Sequence, residues 1–163
     1  MAVVLVEGIT DRIALEAVAA KLGRDLVAQG IEIVPIGGAQ AIRRAAAEYD
    51  GERVAGLCDA GEERFFCRVL GDATYVCDKD LEDELIRVLG SERVQNVVAA
   101  QGELETFRSF QNQVFWRERP VEQQLRRWLQ NGGRYLRYPP LLVEAMAPEE
   151  IPRPLAGVLA AVV

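Results

Sequence analysis

The stretch Val3-Val4-Leu5-Val6-Glu7-Gly8-Ile9-Thr10-Asp11 joins an unbroken apolar run to a carboxylate and then to a helix start. Three valines and a leucine in a row read as a strand. Thr10 is the expected N-cap of the next helix, whose apolar positions Ile13, Ala14, Ala17 and Val18 share one face and whose stop is Gly23.

The same alternation continues to Leu89. Ile31 to Ile36 reads as a second strand, and Gly37-Gly38 turns tightly into a helix from about Ala39 to Tyr49. Val54 to Cys58 and Thr74 to Cys77 are the third and fourth strands, each leading into a helix, over Glu62 to Leu70 and over Leu81 to Leu89. Short apolar runs alternating with helical stretches predict an α/β fold, a central parallel sheet of about four strands flanked by helices. After that the periodicity is helical only. Leu104, Phe107 and Phe110 form one stripe, and Val121, Leu125, Trp128 and Leu129 another. Gly132-Gly133 ends that helix, Pro139-Pro140 is the expected start of a further one, and a short apolar helix closes the chain. The expected division is an α/β domain over residues 1–100 and a helical C-terminal extension over 101–163, packed on it.

Composition removes whole classes of chemistry. The 163 residues contain no histidine, so Ser-His-Asp, Cys-His and His-ligated zinc mechanisms are out. Cys58, Cys67 and Cys77 are odd in number and form no C-x-x-C pair, which predicts free thiols. No apolar stretch approaches the roughly 20 residues of a membrane span, and the opening Met-Ala-Val-Val-Leu-Val-Glu has no basic segment, so the expected location is the cytoplasm. The net charge of −6 is unevenly spread: residues 1–100 carry 11 basic and 18 acidic side chains, residues 101–163 carry 8 and 7. Acids gathered at a metal site are neutralised by the ion, so this charge does not oppose a nucleic-acid substrate.

The acids are not placed at random. Glu7 follows the first strand, Asp59 the third, and Asp78, Asp80, Glu82, Asp83 and Glu84 crowd after the fourth. In open parallel sheets ligands bind beyond the carboxyl ends of the strands. Carboxylates converging there repel one another, and a cation relieves the repulsion. Oxygen donors without His or Cys select Mg²⁺ or Mn²⁺, whose remaining positions suit phosphate oxygens. Taken singly, Asp11, Glu62 and Glu82 are also ordinary first-turn helix acids.

These residues resemble a family. Val4-Leu5-Val6-Glu7-Gly8-Ile9-Thr10-Asp11, Gly37-Gly38 and Gly56-Leu57-Cys58-Asp59-Ala60-Gly61-Glu62-Glu63 look like a Toprim domain, the Rossmann-like fold shared by topoisomerases, bacterial primases and OLD (overcoming lysogenization defect) nucleases. Val-Glu-Gly-x-Thr-Asp and Asp80-Leu81-Glu82 most resemble the OLD branch, over roughly residues 2–90; Arg137 to Glu144 with Pro152-Arg153-Pro154-Leu155 resembles the OLD helical tail. The resemblance implies metal-dependent phosphodiester cleavage of DNA, with RNA left open, or nucleotidyl transfer. It implies Glu7 as metal ligand or general acid/base, and Asp59, Asp11, Asp80 and Glu82 as metal ligands. Two departures stand out: Gly61 occupies the place of the second acid of D-x-D, and where OLD enzymes present a lysine this chain offers Arg134 and Arg137 to offset phosphate charge. OLD nucleases usually carry an ABC-type ATPase, but no G-x-x-x-x-G-K-[ST] occurs here, so such a partner would be separate. A homodimer is left open, and no membrane partner is expected.

Three readings follow: an Mg/Mn-dependent endonuclease, an inactive Toprim module that binds nucleic acid or an ATPase, and, last, a Rossmann-like binder of a phosphorylated ligand. Arginines interleaved with Phe107, Phe110, Phe115, Trp116 and Trp128 invite a DNA-contact reading of the tail. The spacing of Phe107, Phe110 and Trp128 instead matches an inward stripe.

Overall fold

Four parallel strands, β1 (Ala2–Val6), β2 (Ile31–Pro35), β3 (Arg53–Asp59) and β4 (Thr74–Cys77), form one sheet in the order β2-β1-β3-β4 in a computed structural model that describes residues 1–163. β1 is central and every one of its residues is buried. Its side chains alternate between two cores, as strand geometry requires. Val3 and Leu5 pack with Ile42 of α2 (Ile42–Glu48) and Phe66 of α3 (Glu63–Leu70) on one face. Val4 and Val6 enter the larger core on the other.

That larger core is built by α1 (Ile9–Lys21), α4 (Leu81–Leu89) and the later helices. These are α5 (Ser91–Ala100), α6 (Leu104–Gln111), α7 (Val121–Leu129), α8 (Arg134–Glu144) and α9 (Arg153–Ala161). Phe107, Trp128 and Tyr138 are buried in it together with Val4 and Val6, so the apolar interior runs from the sheet into the helices beyond residue 100. Trp128 meets Phe107 and Tyr138 edge to face, with ring centroids 5.4 and 5.6 Å apart, the geometry favoured by the ring quadrupoles. The inward stripe expected of Phe107 and Trp128 is what forms.

Three local readings are corrected. α1 begins at Ile9 with Gly8 as its N-cap, not at Thr10, because the Asp11 carboxylate accepts the Gly8 N–H at 3.0 Å and so fixes the first turn earlier. Gly23, at φ 67°, does supply the left-handed residue just past the end of α1. α8 starts at Arg134 and carries Pro139 and Pro140 inside it rather than opening on them. The hydrogen bonds these prolines forgo are to the carbonyls of Tyr135 and Leu136, residues more than a third exposed, where water can serve instead. α5 fills a stretch for which no separate element was expected.

β3 presses against α3 through Gly56. A Cβ there would lie 2.6 Å from Leu70 Cδ1 and 2.8 Å from Phe66 Cδ1, and Phe66 is fully buried with no room to retreat. Gly56→Ala is therefore expected to cost about 1–3 kcal/mol. Equilibrium urea unfolding checks this; wild-type stability in the variant would refute the close strand–helix contact.

Candidate metal centre

Because all four strands run parallel, their carboxyl ends share one rim. β1 leads through α1 to β2 on one side, while β3 pairs with β1 on the other, so the strand order reverses between β1 and β3. Such a switch point opens a crevice beyond the strand tips. Glu7 directly follows β1, and Asp59 is the last residue of β3. An open cleft of about 210 Å³ lies there, walled by Glu7, Thr10, Asp11, Asp59 and Glu82.

The five-acid run after β4 sorts itself by geometry. Glu84 Oε1 accepts the Asp78 N–H at 2.8 Å and Arg87 Nη2 lies 2.9 Å away, so Glu84 braces the turn. Asp83 pairs with Arg87 at 3.1 Å, and Asp78 is exposed. Asp80 is the N-cap of α4, its Oδ1 accepting the Asp83 N–H at 2.9 Å. Its other oxygen accepts from Arg126 Nε at 2.7 Å and Gln130 Nε2 at 3.1 Å. Only Glu82, one turn-position further, faces the cleft.

The cleft acids have no cation of their own. Glu7, Asp11, Asp59 and Glu82 take part in none of the ion pairs, which run instead through Asp78, Asp80, Asp83, Glu84 and acids elsewhere. Burial and mutual repulsion keep them from ionising readily. Asp59 is pushed up to about 7, first by burial and then by the charges of Asp11, Asp80, Glu7 and Glu82. Asp11 rises to about 6 through burial, against the pull of the Gly8 N–H. Glu82 is raised by burial, and Glu7 by burial and by Glu62.

Comparison with known proteins bears on this arrangement. The family model described as Overcoming lysogenization defect protein-like, TOPRIM domain, matches residues 1–51. The C-terminal region of the Burkholderia pseudomallei OLD protein superposes with a TM-score of 0.73 at 15% identity, covering 99% of this chain and 96% of that one. The C-terminal region of the Xanthomonas campestris pv. campestris OLD protein gives 0.72 at 19% identity, covering 99% and 93%. This chain has the OLD-type Toprim fold. No curated protein matches it in sequence.

The Toprim cleft is not a ready-made cage. No three of the Asp, Glu and Cys side chains stand close enough together to enclose an ion. Its donor set nevertheless fits a hard divalent cation: it is all oxygen, and its repulsion is unrelieved. The buried thiols of Cys58 and Cys77 are held protonated, Cys58 pushed up to about 12 by burial and Cys77 raised by the same cause, and neither lines the cleft. At the D-x-D departure Gly61 faces open space, and Glu62 is the neighbouring acid whose charge acts on Glu7.

Arg134 and Arg137 are not brought to this cleft. Both pair with Glu103, which also accepts the Tyr138 hydroxyl at 2.8 Å, and the Arg134 guanidinium lies 4.0 Å over the Trp128 ring. They tie α8 to the residue that begins α6. The cation beside the acids is Arg126, with Gln130 one turn on, bonded to Asp80 and reaching Glu82 at 3.5 Å. Their spacing of four on a helix whose inward stripe is Leu125, Trp128 and Leu129 was the available signal.

Proposed function

We propose that this Toprim domain is a divalent-metal-dependent phosphodiesterase acting on nucleic acid, with DNA as the first substrate to test. The reading is carried by one observation: Glu7, Asp11, Asp59 and Glu82 wall a single cleft at the sheet's switch point with no counter-cation. One or two of Asp59, Asp11 and Glu82 would hold Mg²⁺ or Mn²⁺, the number of protein carboxylates magnesium usually takes, with Glu7 beside them in the same cleft. When bound, such an ion offsets charge developing on phosphate and makes water a stronger nucleophile.

The chain's own residues supply the rest. Glu7 sits half-exposed at the tip of the central strand, and its raised affinity for a proton suits it to take one from water and return it to the departing oxygen. The Gly8 N–H orients Asp11 through its 3.0 Å bond. Arg126 and Gln130 fix Asp80, holding the start of α4 and with it Glu82 in register with the cleft. Arg134 and Arg137 serve this reading by bracing Glu103 and Tyr138, which keeps α6, α7 and α8 together behind the cleft.

Gly61 and the open spacing of the acids favour a second reading, a module that binds nucleic acid or a partner without cutting. Purified protein incubated with supercoiled and linear DNA, with Mg²⁺, Mn²⁺ or EDTA, separates the two. Metal-dependent nicking supports the nuclease; saturable Mn²⁺ binding by calorimetry without nicking supports the binding module. Absence of both removes the metal centre. These residues contain no phosphate-binding loop motif, so any ATP dependence would arise outside them. No helix is long and apolar enough to cross a membrane.

A further inference from the structure

On the far side of Asp80 lies a second hollow of opposite character. It measures about 300 Å³ and is lined by Lys79, Arg119, Arg126 and Arg127 together with Phe115 and Trp116, and none of its lining residues is acidic. Four cations gathered in a chain of net charge −6 form a local reversal of sign. Two of them, Arg119 and Arg127, take part in no ion pair, whereas Arg126 is held by Asp80 at 2.6 Å and Lys79 stands 4.0 Å from Asp83. The acids at its border are Asp80, Asp83 and Glu122, the last two lining the adjoining hollow with Lys79 and Arg126.

The aromatic residues in the hollow are not core. Phe115 is 63% exposed, although a ring of its size is normally buried. The Arg119 guanidinium lies 4.1 Å over its ring, and Trp116 packs edge-on at 4.9 Å, so the ring is fixed in place while much of its surface stays open. A rigid, exposed aromatic beside unpaired guanidinium groups combines a stacking platform with phosphate neutralisation. A duplex keeps its base faces inside the stack and cannot use that ring. An acidic peptide would use the arginines but not the platform.

We propose that this groove is the binding track for an unpaired nucleic-acid strand, one base stacking on Phe115 while Arg119, Arg127 and Lys79 neutralise its phosphates. The substrate class this adds, single-stranded nucleic acid or a duplex with an unpaired flank, rests on the reading of the acidic cleft as a nuclease site. Arg126 and Gln130 line the groove and bond to Asp80, and Gln130 also reaches Glu82, so the groove and the cleft share one wall. A strand lying along the groove therefore leads to the acids.

The test is fluorescence anisotropy with a labelled single-stranded DNA 12-mer in EDTA, so that binding is read without metal or cleavage. Wild-type protein is expected to bind the strand with quenching of tryptophan emission, more tightly than a blunt duplex of the same length, and with strong salt dependence. Phe115→Ala should weaken strand binding about tenfold, with little effect on the duplex. The Arg119→Glu/Arg127→Glu double variant should weaken it about a hundredfold. Arg43→Glu, an exposed reversal of one charge on α2, should leave it unchanged. All of these positions are at the surface, and melting curves verify that the variants are folded. Wild-type affinity in the two groove variants, or no strand binding by the parent, overturns the proposal. So does displacement of the strand by polyglutamate at equal charge together with indifference to Phe115→Ala. Cleavage by the parent separates this from the nuclease reading: a wild-type protein that never cuts with Mg²⁺ or Mn²⁺ but binds the strand through the groove retains the track and loses the nuclease, whereas Asp59→Asn should bind the strand as tightly as wild type under either reading. A protein that cuts with unchanged KM in both groove variants retains the nuclease and loses the track.

Discussion

Glu7→Gln is expected to lower metal-dependent nicking of supercoiled DNA by about 10²–10⁴-fold, the range lost when a general acid/base is removed, and Asp59→Asn by about a hundredfold or more. Both changes preserve shape and remove only the ability to carry negative charge. Neither carboxylate has an ion-pair partner to strand, so the folded protein should survive both. The two should differ in how they respond to metal. Asp59, whose charge neighbours are Asp11, Asp80, Glu7 and Glu82, lies within the acidic cluster as a proposed metal ligand, so raising Mn²⁺ should partly restore Asp59→Asn. Glu7 is the group proposed to move the proton, a role that more metal does not replace, so Glu7→Gln should remain slow at saturating metal. Arg137→Ala supplies the contrast: its side chain is committed to Glu103, and its loss should cost melting temperature rather than the chemical step. Nicking by Glu7→Gln and Asp59→Asn at the wild-type rate would eliminate the proposed site.

The parts of this molecule that could be read from residues alone are those where one local rule acts unopposed. β1 and β3 are apolar runs ending on an acid, and α4 is bounded by Asp80 before and Gly90 after, so both its limits were visible. α5 was not, because only Val94 and Val98 of its ten residues are fully buried, too few to print a stripe between two longer ones. The start of α8 is hidden in the sequence because prolines usually open a helix, whereas here Tyr138 and Leu142 are buried and the turn before the prolines is helical. The site shows the same division. That Glu7, Asp11, Asp59 and Glu82 gather follows from parallel strands and a switch point, which are properties of topology. That Asp80 turns away to Arg126, and that Arg134 and Arg137 go to Glu103, depends on how α7 and α8 pack, which no spacing within 101–163 announces.

Removing a charge from the cleft should make the metal-free protein more stable. In an unfolded chain Asp11 and Asp59 lose their protons near the ordinary carboxylate value of about 4, whereas in the folded protein they do so at about 6 and about 7. Between these values the native state binds more protons than the unfolded chain, so stability falls as pH rises through that window and stays low above it. Glu150, lowered to about 2 by Arg93, acts in the opposite sense and only at more acid pH, outside the window. Metal-free wild type should therefore melt at a higher temperature near about pH 5 than near about pH 8. Asp59→Asn should raise stability at the higher pH by about 1–3 kcal/mol, a figure reduced for the partial exposure of the cleft and equivalent to several degrees of melting temperature. Mn²⁺ reverses the order. At about 100 times its dissociation constant it should add about 2.7 kcal/mol to wild type and much less to Asp59→Asn. Calorimetric melting across pH, with and without Mn²⁺, reads all of this at once. A structural carboxylate gives the other pattern, with the Asn variant less stable at pH 8 and metal indifferent to it, because an acid that holds the fold together is not relieved by losing its charge.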